Sequence, residues 1–355
     1  MSNVKVFAHD VEGLTYTEWN VATPFRHLAD GSYELREQAA AVVELVGSLD
    51  EAEVACLPSD WCGYDSDTRP DAVAFIERAA AAGKSVGVWV FGDDEYDLPW
   101  SNVIQFQHAF RRSRPARTTR RVLPSMFADL AGPVYDGRLA VLPKGDAPLV
   151  GFCGQAGSSP VEETKRAIHK ARMRALRLAR RTDAVPEPWP SHVRMRRRLL
   201  DALATDDRIH TRFLLRDQYR GGLTGWRNIN DPLPTARQEY YDNIHDTQYT
   251  LCVRGGGNFS LRLYETLCLG RIPLVVDADG ILPWPDDPFW HEVALVVPVA
   301  DAGSLGDRLL AHHARAGEAE WADRQARARA FWVDRLSRPG WLAHLPELLT
   351  PAGPA

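Results

Sequence analysis

The chain has 355 residues, 45% of them apolar and 25% charged, with a formal net charge of −5, which allows about two ordinary cores and argues against nucleic acid as the main partner. No run approaches the ~20 apolar residues of a membrane-spanning helix, and the opening MSNVKVFAHDVEG does not read as a signal peptide. The five cysteines, an odd number with no C-x-x-C, sit mostly in or beside apolar runs, which suits a reducing compartment; a cytoplasmic protein is expected, and abundant Ala and Arg suggest a GC-rich bacterium.

In chain order, residues 4–10 read as a strand, 33–49 as a helix, 53–58 as a strand, 71–82 as a helix, and 85–92 and 102–106 as strands. A basic, Pro-containing segment follows at 111–124, and a Pro- and Gly-bearing stretch at 138–148 places a domain boundary near residue 147. The pattern then restarts: strand 149–153, a long basic helix 161–181, strand 212–216, helix 236–246, strand Tyr249–Val253, helix 258–269, strand 272–276, strand 294–299, helix 302–314 and a last helix 318–336. This βαβ alternation predicts two Rossmann-like α/β domains, 1–146 and 147–355, facing across a cleft, with the last helix able to pack back on the first domain. Open α/β folds bind ligands at the carboxyl ends of their strands.

Residues 249–284 carry the most chemistry. An apolar strand runs into Arg254, Gly255, Gly256 and Gly257, then Asn258 and Ser260, both good N-caps for the next helix. A glycine loop between strand and helix lets backbone N–H groups and the positive helix end approach an anion. Arg262 can fork onto phosphate oxygens, and Glu265, on the same helix face, can accept from ribose hydroxyls. At this spacing the two can equally pair with each other. Arg216, at the end of a predicted strand, is a further phosphate candidate. Between residues 151 and 220, sixteen Lys/Arg stand against eight Asp/Glu, a basic stretch suited to an anionic ligand or to plain solvation.

Here the chain resembles the exostosin family of glycosyltransferases, on Ser260, Arg262, Glu265, Gly270 and Pro273, followed by Leu282-Pro283 and Trp290. The resemblance is good over residues 147–299 and thin before them. It implies a GT-B fold and a nucleotide-diphosphate sugar donor (a UDP- or GDP-sugar) held by the C-terminal half. It also implies an inverting transfer to a hydroxyl of a glycan or small-molecule acceptor, with no obligatory metal. By motif, Ser260 and Arg262 would meet the diphosphate and Glu265 the ribose. The chain departs from the family in its richer glycine loop, and it is expected to lack the membrane anchor of animal members.

Other features qualify this reading. Asp277-Ala-Asp279 is a literal Asp-x-Asp, suited to Mg²⁺ or Mn²⁺, but its late position fits a loop lining the cleft better, with Asp279 near the donor sugar. Gly255–257 with Asp277 also partly imitates a dinucleotide fingerprint, so an NAD(P)-dependent oxidoreductase is an alternative, as is a non-catalytic nucleotide-sugar or carbohydrate-binding protein. A general base should come from strand ends of the first half; Asp10 is the first candidate and Asp93 the second. Trp61, Trp100, Trp226, Trp284 and Trp290 can stack on sugars, although packing accounts for most tryptophans. The basic helix could touch an anionic membrane, but its charges surround it, which favours solvation over peripheral membrane contact.

Overall fold

A computed structural model describes residues 3–9, 11, 36–157, 159–186, 188, 191–218 and 235–350. In the first half lie strands β1 (Val4–Ala8), β2 (Val43–Leu45), β3 (Val54–Asp60), β4 (Val86–Val90), β5 (Glu95–Tyr96), β6 (Val103–Gln107) and β7 (Thr119–Val122). The second half adds β8 (Leu149–Gln155), β9 (Ala184–Val185), β10 (His210–Arg216), β11 (Tyr249–Val253), β12 (Ile272–Asp277) and β13 (Leu295–Pro298). They build a six-stranded sheet, β2-β1-β3-β4-β6-β7, and a five-stranded sheet, β10-β8-β11-β12-β13. Every pairing within both sheets is parallel. β3, β4, β11 and β12 are buried almost end to end, as parallel strands covered on both faces must be. This is the GT-B arrangement of two Rossmann-like halves.

Several elements depart from the sequence expectation. Among the described residues within 33–49, only Arg36–Ala40 is helical; the β-branched Val43 instead begins β2 and pairs with Val4. β7 arises in the basic segment because its arginines find backbone carbonyls: Arg120 Nη1 donates to Arg111 O at 2.8 Å and Arg114 O at 2.9 Å. The helix His192–Ala204 was not foreseen, nor were Arg338–Ala343 and Leu345–Leu348. The expected last helix is Glu318–Phe331, closed by a π-turn at Trp332–Leu336, and it packs into the core of the second half through Trp321, Ala328 and Phe331.

What crosses back is the segment after it. Trp341, Leu342, Leu345, Leu348 and Leu349 are buried in one core with Val6, Val54, Cys56, Trp89, Ile104 and Phe106. Arg121 fastens this segment, donating to Leu348 O at 3.1 Å and Thr350 O at 2.8 Å. A cut at residue 147 would therefore not separate the two cores.

The halves are also clasped at their strand ends. β5 pairs antiparallel with β9, Glu95 opposite Val185. The loop after β12 docks on residues 110–113: Arg112 Nη2 donates to Asp277 Oδ2 at 2.9 Å and Gly280 O at 2.6 Å, and Ile281 N donates to Phe110 O at 3.2 Å. Trp284 packs against the cores of both halves.

Candidate functional site

β11 ends at Val253 and delivers the glycine loop to the seam between the halves. The loop closes on itself, Gly255 N donating to Phe259 O at 2.9 Å. Ser260 is the N-cap residue of the helix Leu261–Cys268, with extended backbone and no side-chain cap bond. None of the three loop glycines has a positive φ. Two of them are required by Asp93, on the loop after β4: a Cβ on Gly256 would lie 2.5 Å from Asp93 Oδ2, and one on Gly257 would collide with the Asp93 backbone, whereas one on Gly255 would meet only Phe259 O at 3.8 Å. The second-choice acid of the first half and the glycine loop of the second are thus in contact.

The motif residues behind the loop have other work. Arg262 is buried. Its Nη2 donates to Cys153 O at 2.7 Å and its guanidinium lies 4.1 Å from the Phe152 ring centroid. It braces the end of β8, where Gly154 has φ 150° and a Cβ would stand 3.0 Å from Arg262 Nη2. One fork tip of Arg262 is thus occupied by the fold, while its Nε is buried without a hydrogen-bond partner. Glu265 accepts from the Tyr240 hydroxyl, so a ribose would have to compete for it; burial, with Glu265 beside it, raises the Tyr240 pKa well above its ordinary value. Arg216 is ion-paired to Glu239 at 2.6 Å and also donates to Ala236 O, an anchor to the next helix. Asp279 accepts from Ser113 N at 3.0 Å and from the Ser113 hydroxyl, which makes it part of the clasp between the halves.

Of the tryptophans proposed for sugar stacking, Trp61 and Trp290 are buried. The Trp290 indole donates to Pro283 O at 3.0 Å, and Trp100 stands edge-on to Trp61 at 5.6 Å. These are packing roles. Trp226 lies outside the described residues.

A cationic cluster that sequence reasoning missed lies beside the loop. The imidazole of His192 is driven down to a pKa of about 3 by burial and then by Arg196, Arg254, Arg166 and Lys170. These four cations come from two helices and the end of β11. Arg254 is buried, and Arg196 ties the strand ends together, Nη1 donating to Gln155 O at 2.7 Å and Nη2 to Arg254 O at 3.3 Å. The basic stretch 151–220 and Arg254 each stand out in the sequence, but not that they converge on His192.

For acid–base chemistry, Asp10 lies outside the described residues. Asp93 has its pKa raised by protein crowding and by Asp94. His108, directly after β6, was also missed. Its Nδ1 donates to Leu123 O at 2.7 Å and its ring stacks on Phe259 of the glycine loop at 5.2 Å. Burial lowers its pKa, so the ring is neutral at neutral pH and carries its lone pair on Nε2. It lines a small hollow of about 40 Å³ with Arg254, Asn258, Ser260 and Asp277. Asn258 turns a buried Nδ2 without a hydrogen-bond partner toward the same region.

No family model matches the chain. It is 40% identical over 71 residues to a probable glucuronoxylan glucuronosyltransferase of Arabidopsis thaliana, covering 20% of this chain and 16% of that protein. It is 34% identical over 85 residues to a probable glucuronosyltransferase of Oryza sativa subsp. japonica (22% and 20%). It is 32% identical over 88 residues to a probable β-1,4-xylosyltransferase of Arabidopsis thaliana (22% and 21%). The resemblance to exostosin-like glycosyltransferases stands. The chain spans about a fifth of the length of these relatives. A solved glycosyltransferase from Rickettsia africae covers 98% of both chains at 8% identity and a TM-score of 0.40, too loose a likeness to argue from. The matched relatives are plant proteins, which goes against the expectation of a bacterial source. That expectation rested on composition alone; four of the five cysteines are buried.

Proposed function

We propose that the chain is a glycosyltransferase that moves a sugar from a nucleoside-diphosphate donor to a hydroxyl of a glycan or small-molecule acceptor. The observation that carries this reading is the contact of Asp93 with Gly256 and Gly257. It brings a carboxylate of one half against an anion-suited loop of the other, where an acceptor and a donor would have to meet. The donor half is the second, and its diphosphate is assigned to the glycine loop, Asn258, Ser260 and the cations around His192, with Arg254 foremost. Arg262, Glu265 and Arg216 position the walls of that site.

In the inverting, metal-independent form of the reaction, the acceptor oxygen attacks the anomeric carbon as the bond to the diphosphate oxygen breaks. The acceptor proton passes to a base, and the departing nucleoside diphosphate takes up negative charge facing the arginines. Asp93 is the assigned base. His108 is the second candidate, favoured by its fixed tautomer and free Nε2.

The deciding experiment is a thermal-shift panel of UDP, GDP, TDP, CMP, NAD⁺ and NADP⁺, with and without Mg²⁺, on the wild-type chain and Arg254→Ala. A ligand at ~100 times its dissociation constant stabilises by about 2.7 kcal/mol. One nucleoside diphosphate should give a metal-independent shift that Arg254→Ala loses. A shift with NAD⁺ or NADP⁺ alone would replace this reading with the oxidoreductase one.

A further inference from the structure

The helix Pro160–Leu178 is built inside out. It begins with a capping box: Ser159 Oγ accepts from Glu162 N at 3.2 Å, and the Glu162 carboxylate accepts from Ser159 N at 3.0 Å. None of its residues is buried. The half-buried residues that face the protein are mostly charged. Glu163 takes Arg166 and Ser191, each at 2.8 Å; Arg177 reaches Asp97 at 2.7 Å; and Lys170 joins the cations around His192. The face turned to solvent carries apolar side chains as well, while Met173 and Leu176 are half-buried. Val161, Ile168 and Leu178 are 61%, 63% and 86% exposed, and Ala171 and Ala175, also exposed, fill the same stripe. Positions 161, 168, 171, 175 and 178 follow one another by three, four or seven residues, which is one side of an α-helix.

This arrangement resolves the helix differently from its sequence, in which basic residues seemed to surround it. Arg166, Lys170 and Arg177 are turned inward, while Lys165, Arg172 and Arg174 remain exposed beside the apolar stripe. We infer that this face docks on an anionic membrane surface, lying in the headgroup region with Val161, Ile168 and Leu178 inserted and Lys165 and Arg172 on the lipid phosphates. Two observations choose this occupant. Three large apolar side chains fall far short of the ~800 Å² per partner that a stable protein interface buries, whereas shallow insertion joined to basic flanks suffices for a bilayer surface. A second copy of the helix would also bring like charges together at Lys165, Arg172 and Arg174. The inference goes beyond the transferase reading and does not depend on it.

The test is flotation of the full chain with vesicles of phosphatidylcholine alone and of phosphatidylcholine mixed with phosphatidylglycerol, at low and high salt. The wild-type chain should float with the anionic vesicles at low salt and release at high salt. Ile168→Asp and the pair Lys165→Glu, Arg172→Glu should each weaken partitioning by about tenfold or more. Because these side chains are exposed, melting temperatures should stay at the wild-type value. Val161→Asp with Leu178→Asp serves as a second variant if Ile168→Asp does not fold. No binding to anionic vesicles, or equal binding by the variants, overturns the inference. So does a wild-type dimer in light scattering that Ile168→Asp converts to monomer, since a second copy would then be the occupant.

Discussion

A Cβ on Gly256 would stand 2.5 Å from Asp93 Oδ2, so the first-half acid and the second-half loop share one van der Waals boundary. Gly256 meets only the movable end of a side chain, whereas Gly257 meets the Asp93 backbone. Gly257→Ala should therefore destabilise by about 1–3 kcal/mol through overpacking, while Gly256→Ala should melt near wild type but turn Asp93 aside. Turnover by Gly256→Ala should drop tenfold or more with donor affinity nearly kept. Equal melting temperatures for the two variants would contradict the geometry.

Arg262→Ala should lower stability by about 2–4 kcal/mol, because it leaves Cys153 O without its donor and uncovers Phe152. Loss of nucleotide affinity should track that unfolding. Arg262→Lys should not restore it, since an ammonium cannot both stack and fork. A well-folded Arg262→Ala chain that merely fails to bind nucleotide would return this residue to the phosphate.

The buried histidines predict acid sensitivity. His192 has its folded pKa pushed down to about 3, and His312, by burial and then by Arg324, to about 4. Both lie below the unfolded value of about 6.5, so the unfolded chain binds more protons between these limits. Stability should be full above pH ~6.5 and should fall as pH drops toward 4 and then 3, by up to about 1.4 kcal/mol per pH unit per site. His192→Gln and His312→Gln should each flatten that slope in urea melts. Bound nucleoside diphosphate should raise the His192 pKa by offsetting the surrounding cations. A ¹H–¹⁵N titration showing no change would remove the diphosphate from this cluster.

Asp277 and Asp279 hold Arg112 and Ser113 across the seam. Asp279→Ala should cost about 1 kcal/mol and speed proteolysis within 110–117, while leaving the response to Mg²⁺ and Mn²⁺ unchanged. A metal-dependent melting shift lost in this variant would make the pair a metal site instead.

The two sheets were legible because fully covered parallel strands are continuous apolar runs; Tyr249–Val253 was read to the residue. β7 was not, because Thr-Arg-Arg-Val is a strand only once Arg120 and Arg121 find carbonyls at 111, 114, 348 and 350. The glycine loop was legible as a place but not in its cause: the sequence pointed to a ligand's approach, and the structure adds that of Asp93. For Arg262 and Glu265, spacing shows which helix face they share and not that Cys153 O and Tyr240 already meet them. The basic stretch 151–220 and Arg254 were legible separately, but not their convergence on His192, since the cations at 166, 170, 196 and 254 meet only in three dimensions.

The segment that returns across the molecule also orders events in time. Leu342, Leu345 and Leu348 complete a core begun by Val6 and Val54, so the first sheet leaves a ribosome before the second half and is finished only after it. Until then its apolar underside stays uncovered, and the second half can close before the first. A chain cut short after Leu336 would keep every proposed donor contact and still expose the floor beneath β1, β3 and β4, a failure that would register as aggregation and not as lost affinity.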